Sequence, residues 1–235
     1  MKFKNQIKAI IFDMDGTILD SEHVWGEAIK SVLTNHNVIL NPHHEEVVFK
    51  KMSGTSLEAC FKQLKEMFNL SKSHIELMEE CKKHSASEFA KGVNFIQGFT
   101  SFHMQLQSYN IPSCIATNCD PDTFVKIEQR MKLSNFFGNK MFNISHVKNP
   151  KPSPELFLYS AEQLNVKPHE CVVFEDSLFG FKAAKEAGMK CIGIKNDKNT
   201  ELLHHVDHAI DNYDFAKEIL NKIAMDILEN SKKIK

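Results

Sequence analysis

The chain has 235 residues, of which 42% are hydrophobic and 25% are charged, so it can bury one core, or one core and a small satellite. Its 29 lysines and arginines nearly balance its 30 aspartates and glutamates, and this balance favours neither nucleic acid nor an anionic membrane as a partner. The first apolar run ends at Phe12, which is too short for a signal peptide or a membrane span. Six cysteines without a C-x-x-C pair are typical of reduced thiols. We therefore expect a cytoplasmic monomer with a small-molecule partner.

The first predicted strand, residues 9–12, is a continuous apolar run that leads into Asp13, Asp15 and then Gly16. If the extended geometry persists, the two acidic side chains point the same way from the carboxyl end of a sheet. Carboxylates this close repel each other, and a hard divalent cation such as Mg²⁺ relieves the repulsion because it takes oxygen ligands. On this stretch alone, an acidic turn that merely caps a helix is an alternative.

The next segment, from residue 20 to about residue 97, has apolar residues at helical spacing and lacks short β-branched runs. It predicts four helices, with Ser21, Ser56 and Ser73 placed to cap three of them and the second helix beginning near Glu45. We therefore predict a small all-helical domain, residues 20–97, inserted after the first strand of a core domain that comprises residues 1–19 and 98–235. Such an insert lies over the carboxyl edge of the sheet, where the chain leaves it.

From Gly98 onward, helices alternate with short apolar strands, which predicts an α/β fold with a Rossmann-like, doubly wound parallel sheet. The pairs Asp120-Pro121 and Ser153-Pro154 are typical of helix starts. The predicted helices are residues 99–109, 121–131, 154–164, 178–187 and 215–228, and the predicted strands are residues 111–116, 141–144, 171–174, 191–194 and 208–210.

Ligands bind outside the carboxyl ends of the strands in such a sheet, so the residues that follow each strand are the candidates for function. They form a coherent set: carboxylates that can hold a metal ion, and a hydroxyl, an amide and a lysine that can bind a phosphate. This set is typical of phosphoryl transfer. The residues are Asp13, Asp15, Thr117, Asn118, Lys151, Glu175 and Asp176.

These motifs resemble those of the haloacid dehalogenase (HAD) superfamily, in the β-phosphoglucomutase-like branch that carries a helical cap of the C1 type. The D-x-D-G-T motif matches residues 13–17, the strand-end Ser/Thr motif matches Thr117-Asn118, the lysine-proline motif matches Lys151-Pro152, and the acidic motif matches Glu175-Asp176. The resemblance covers nearly the whole chain and is weakest in the cap.

The resemblance implies a role for each of these residues. Asp13 would be the nucleophile that forms an aspartyl phosphate, and Asp15 would be the general acid and then the general base. The Mg²⁺ ion would be held by Asp13, the backbone carbonyl of Asp15 and Asp176, with Glu175 at or near the metal. The transferring phosphoryl group would be bound by Thr117, Asn118 and Lys151.

The cap sequence favours a phosphatase within this family. Asp15 argues against a dehalogenase or a phosphonatase, because their similar motifs lack that second aspartate. The β-phosphoglucomutase type carries a cap histidine and a cap arginine, whose positions fall here on Trp25 and Leu57. Since His23 is close enough in sequence to replace that histidine, a phosphosugar mutase remains the alternative, and a non-catalytic phosphometabolite sensor is a third hypothesis.

Two questions stay open at this point. The lysine-proline motif usually follows a glycine, whereas here the run from Lys148 to Pro152 offers two lysines, of which Lys151 is the preferred phosphate ligand. We expect the substrate to be a small phosphorylated metabolite, and a sugar phosphate, a nucleotide-like ester and other small phosphoesters all remain possible. The cap residues that we consider candidates for its selection are His23, Trp25, Gly54, Thr55 and Ser56.

Overall fold

The computed structural model describes residues 2–233, within which six parallel strands form one sheet in the order β3-β2-β1-β4-β5-β6. The strands are β1 (Ala9–Phe12), β2 (Ser113–Ala116), β3 (Met141–Phe142), β4 (Cys171–Glu175), β5 (Lys190–Ile194) and β6 (His208–Ile210). The first strand lies at the centre of the sheet, paired with β2 on one side and β4 on the other. The strand order reverses at β1, so the carboxyl ends of β1, β2 and β4 meet at the switch point where such sheets bind ligands.

Helices cover both faces of this sheet, which explains why β1 is apolar at every position. On one face Phe12 stacks on Phe174 with ring centroids 5.3 Å apart, and the same cluster includes Tyr213. On the other face Ile11 packs with Phe157 and Phe181. The helices that follow the insert are α5 (Phe99–Ser108), α6 (Pro121–Met131), α7 (Ser134–Phe137), α8 (Glu155–Gln163), α9 (Leu178–Glu186) and α10 (Ala216–Lys233).

Four helices lie between β1 and α5 and share a hydrophobic cluster of their own, separate from the two clusters that cover the sheet. They are α1 (Glu22–Asn35), α2 (Pro42–Met52), α3 (Leu57–Phe68) and α4 (His74–Lys91). The two segments that join this insert to the sheet run antiparallel, because Leu19 bridges Phe95 and Ile96 N donates to Ile18 O over 2.9 Å. The chain segments that enter and leave the insert are therefore hydrogen-bonded to each other beside the carboxyl edge of the sheet.

The α/β fold and the Rossmann-like sheet that the sequence predicts are confirmed. Ser56 and Ser73 cap α3 and α4 as predicted. Ser21 occupies the N-cap position of α1 as predicted, but its side chain makes no capping hydrogen bond. The second helix begins at Pro42 rather than near Glu45, because the Asn41 side chain accepts a hydrogen bond from His44 N. The predicted core domain ends at residues 1 and 235, which lie outside the described residues.

Helix α7 was not predicted, because four residues are too few to establish a helical period. Pro154 rather than Ser153 occupies the N-cap of α8, although Ser153 Oγ still accepts a hydrogen bond from Glu155 N. The cysteines are free thiols, and Cys119 is half-buried while the other five are buried. Among residues 2–233, no helix combines the length and the hydropathy that a membrane span needs.

Candidate active site

A buried lysine joins the carboxyl ends of β1 and β4. Lys151 Nζ lies 2.6 Å from Asp13 Oδ1 and 2.8 Å from Glu175 Oε1, and the lysine is only 4% exposed. Lys151 reaches this point from the loop before α8, where its backbone N–H donates to Asn118 Oδ1 over 3.0 Å. By contrast, the Lys148 side chain is exposed. The structure therefore places the ammonium group of Lys151 between two acidic strand ends.

Both carboxylate oxygens of Glu175 accept hydrogen bonds, and these bonds orient Lys151 and the loop after β4. Its Oε2 atom accepts hydrogen bonds from Asp176 N at 2.8 Å, from Ser177 N at 2.7 Å and from Ser177 Oγ at 3.0 Å. A β-carbon on Gly180 would lie 1.8 Å from Glu175 Oε1, so the first turn of α9 needs glycine at this position to admit the carboxylate. Glu175 thus fixes Lys151 with one oxygen and the loop after β4 with the other.

Asp176 is held by side chains from two other loops. Thr17 Oγ1 donates to its Oδ1 atom over 3.0 Å, and Asn196 Nδ2 donates to its Oδ2 atom over 3.2 Å. Asn199 Nδ2 donates to the backbone carbonyl of Asp176 over 2.8 Å. Thr17, Asn196 and Asn199 were missed as site residues, although Thr17 lies in the D-x-D-G-T motif. Asn196 follows β5, so it could have been found among the residues that follow each strand.

Three carboxylates, from Asp13, Glu175 and Asp176, bring oxygen atoms within 4.8 Å of one another, and all three residues are buried. Burial raises the pKa of Asp13 to about 8, against the opposing effect of Lys151. Burial and the neighbouring Glu175 and Asp13 carboxylates also raise the pKa of Asp176. One ammonium group is therefore too little positive charge for this cluster. Three carboxylates with only one ammonium group beside them form an oxygen-donor set that fits a hard divalent metal ion.

Asp15 faces the helical insert. Its Oδ1 atom accepts hydrogen bonds from Ser21 Oγ over 2.6 Å and from Trp25 Nε1 over 2.8 Å. Because the Ser21 hydroxyl donates to Asp15, the Ser21 side chain makes no capping hydrogen bond to α1. Burial raises the pKa of Asp15, while the two hydrogen bonds lower it. No described residue donates to Asp15 Oδ2, which leaves that oxygen available to a ligand.

The residues after β2 have different environments. Thr117 Oγ1 accepts a hydrogen bond from Cys119 N over 3.1 Å, so its hydroxyl proton is free for a ligand oxygen. The Asn118 side chain is fully engaged, because its Nδ2 atom donates to Gly54 O over 2.9 Å and to Lys151 O over 3.0 Å, in addition to the hydrogen bond from Lys151 N. A phosphate contact from Asn118 would therefore come from its backbone N–H.

These residues open into a cavity of about 140 Å³ between the sheet edge and the helical insert. Asp13, Asp15, Thr117, Asn118 and Asp176 line the side formed by the sheet edge. Of the residues predicted to select the substrate, three line this cavity and two do not. Trp25, Gly54 and Thr55 lie on its wall, Ser56 lines a neighbouring cavity beside Lys151, and His23 is exposed.

Comparison with known proteins agrees with this geometry. A family model described as haloacid dehalogenase-like hydrolase matches residues 10–194. A protein named phosphorylated carbohydrates phosphatase, from Thermotoga maritima, is 31% identical over 189 residues, which are 79% of this chain and 84% of that protein. A 6-phosphogluconate phosphatase from Escherichia coli is 23% identical over 201 residues, which are 86% of this chain and 88% of that protein.

The solved structures agree on the fold. The β-phosphoglucomutase of Clostridium difficile matches with a TM-score of 0.78 at 22% sequence identity, over 93% of this chain and 99% of that chain. An identity this low shows a shared fold and leaves the reaction to be argued from the site itself.

Proposed function

Because the chain belongs to the haloacid dehalogenase-like hydrolase family, we propose that it is a Mg²⁺-dependent phosphatase that hydrolyses a small phosphomonoester, a sugar phosphate or a nucleotide-like ester. The observation that carries this proposal is the placement of Lys151 between Asp13 and Glu175. A carboxylate that attacks a phosphoryl group must first be ionised and shielded from the charge of its target. The names of the curated relatives, which are phosphatases, support the same reaction.

In the first step, Asp13 attacks phosphorus and forms an aspartyl phosphate as the bond to the leaving oxygen breaks. Asp15 donates a proton to that oxygen, and its raised pKa suits a group that must be protonated at rest. In the second step, Asp15 takes a proton from water, the water oxygen attacks phosphorus, and Asp13 is released with inorganic phosphate. Both carboxyl groups return to their starting protonation states.

The remaining residues hold the phosphoryl group and the metal ion. Lys151 and the Thr117 hydroxyl donate to the phosphoryl oxygens, and Asn118 contributes its backbone N–H. Asp13, Asp176 and the backbone carbonyl of Asp15 would hold Mg²⁺, with Glu175 beside them. When bound, the ion neutralises the acidic cluster and the charge on the phosphoryl oxygens. The helical insert, residues 20–97, acts as a cap domain that selects the substrate above the core domain.

Phosphate release from a panel of small phosphoesters tests this proposal. We expect release that requires Mg²⁺ and is abolished by Asp13→Asn, while Asp20→Asn at an exposed position leaves it unchanged. A phosphosugar mutase is less favoured, because His23 is exposed outside the cavity. Conversion of hexose 1-phosphate to the 6-phosphate, without release of phosphate, would contradict the phosphatase assignment.

A further inference from the structure

The wall of the cavity that faces the sheet edge is apolar, in contrast to the strand ends opposite it. The cap contributes six apolar side chains from α1, α2 and α3. Three of them, Trp25, Phe49 and Leu57, are only half-buried. The residues are Trp25, Ile29, Phe49, Met52, Leu57 and Cys60.

The polar side chains near this wall are already paired with each other. Glu22 lies 3.3 Å from Lys198, and Asp120 lies 3.1 Å from Lys82. Thr55 Oγ1 donates to Met52 O over 2.7 Å. Among the described residues of the cap wall, the Ser53 hydroxyl is the polar group without a protein partner. Hydroxyl groups of a ligand that face this wall would lose water without gaining a protein partner, at a free-energy cost for each.

Among the described residues, no unpaired cation lines the cavity to bind a second anionic group. The single arginine of the sequence, Arg130, donates to Ala90 O over 2.8 Å and does not line the cavity. Lys198 lines the cavity but is paired with Glu22. A second phosphate or a carboxylate on the substrate would have to compete with Glu22 for Lys198, the one lysine among the described residues that line the cavity.

We propose that the leaving group of the substrate is an uncharged alcohol about the size of one six-membered ring, with an apolar face that packs on Trp25, Phe49 and Leu57. This inference rests on the proposed phosphatase function and narrows its substrate class. The cavity of about 140 Å³ also has to admit the phosphoryl group at the strand ends, which limits the leaving group to about one ring. Covering the half-exposed ring of Trp25 and its neighbours then supplies the binding free energy.

A matched pair of substrates tests the proposal. Cyclohexylmethyl phosphate and glucose 6-phosphate each carry a CH₂–O–phosphate group on a six-membered ring, and they differ in the ring oxygen and the hydroxyl groups. We expect kcat/KM to be at least about tenfold higher for cyclohexylmethyl phosphate, since a polar group left unpaired costs a factor of this order. Phe49→Gln should reduce that ratio. Val47→Asn, on the same helix at a position 53% exposed, should leave it unchanged.

Fluorescence of Trp25, the single tryptophan of the chain, gives a second readout that does not need turnover. In the Asp13→Asn variant with Mg²⁺, cyclohexylmethyl phosphate should perturb the emission at a lower concentration than glucose 6-phosphate. If glucose 6-phosphate is hydrolysed equally well or better in an Asp13-dependent reaction, this inference is wrong and the phosphatase function stands. If neither ester is hydrolysed, the phosphatase function is called into question, and the fluorescence titration alone decides whether the cavity prefers the apolar ring.

Discussion

At the scale of single residues, the site depends on Lys151, whose ammonium group contacts two carboxylates at once. Lys151→Met removes the buried cation that the described residues place in the cluster and, with it, the proposed donor to the phosphoryl oxygens. We predict that kcat/KM falls by about 10² to 10³, the usual loss for one preorganised donor. Steady-state phosphate release measures this loss. Lys148→Met is the matched control, because that side chain is exposed, and equal losses in both variants would contradict the assignment of Lys151.

His103 lies outside the site, and its burial makes one contribution to the pH dependence of stability at acid pH. It is 1% exposed, its Nε2 atom lies 3.0 Å from Ser113 Oγ, and Nδ1 has no partner among the described residues. Burial lowers the pKa of His103 from 6.5 to about 4. Between these values the unfolded chain binds a proton that the folded chain does not, so the stability falls as the pH drops from 6.5 through about 4.

We therefore predict that acidification through this range lowers the free energy of unfolding by about 2 to 3 kcal/mol through His103 alone. Urea unfolding at a series of pH values measures this slope. His103→Phe should flatten it, since the ring already packs among Phe12, Phe99 and Phe137. His43→Gln, at an exposed position, should keep the wild-type slope. An unchanged slope in His103→Phe would show that another group titrates.

At the scale of elements, the turn after α2 docks the helical insert on the core. Gly54 has φ +75°, and a β-carbon there would lie 2.2 Å from Ser177 Oγ. The Gly54 carbonyl also accepts the hydrogen bond from Asn118 Nδ2. This turn therefore joins the insert to two strand ends at once, and the arrangement tolerates no side chain at Gly54.

Gly54→Ala should lower kcat/KM by at least about tenfold. Displacing the turn would open the cavity and shift the Asn118 side chain, which bonds both Gly54 O and the backbone N–H of Lys151. Gly92→Ala is the control, since Gly92 also has a positive φ, +116°, but has open space around the position of a β-carbon. We expect it to cost about 1 kcal/mol of stability and no activity. Steady-state kinetics and thermal unfolding measure the two effects. Equal activity in the two variants would show that the close approach at Gly54 is not needed.

The elements that sequence reasoning predicted best are those whose signals are local. Strand β1 was predicted with its observed bounds, because a central strand covered on both faces is apolar throughout. Helix α6 was also predicted with its observed bounds, and Asp120 caps it before Pro121 at the first position. Helix α7 is too short to carry such a signal.

The site was harder to predict where its contacts cross long stretches of chain. Thr17 and Asp176 are 159 positions apart, and no spacing rule links them. Ser21 looked like a helix cap, but Asp15 takes its hydrogen bond. The side chain of Asn118 looked like a phosphate ligand, but it is committed to Gly54 and Lys151. Tertiary partners therefore override local propensity at these positions.

At the scale of the whole molecule, the acidic cluster makes the stability of the fold depend on pH and, in the proposed function, on the metal ion. Without a divalent ion, the folded chain holds a proton on Asp13 between its ordinary pKa of 3.8 and about 8, even beside Lys151, whereas the unfolded chain releases it. The contribution of this group to stability is therefore complete below the lower value and is lost as the pH rises through the upper one. A divalent ion that binds the folded chain offsets this loss by mass action.

We predict that Mg²⁺ raises Tm above its value in a chelator, and that the increase is larger near about pH 8 than near about pH 5 because protons compete with the metal at low pH. Thermal unfolding at both pH values, with Mg²⁺ or with chelator, measures the effect. Asp176→Asn should reduce the Mg²⁺-induced increase, whereas Asp20→Asn should retain it. If Mg²⁺ leaves the Tm unchanged at both pH values, the result would contradict a metal site in this cluster.

The most direct test of the account is to trap the aspartyl phosphate. The enzyme would be mixed with a hydrolysed phosphoester and Mg²⁺, quenched in acid and treated with borohydride, which reduces an aspartyl phosphate to homoserine. Peptide mass spectrometry then locates the modified position. We predict homoserine at position 13, and none in Asp13→Asn or without substrate. Homoserine at position 15, or continued phosphate release by Asp13→Asn, would contradict the assignment of Asp13 as the nucleophile.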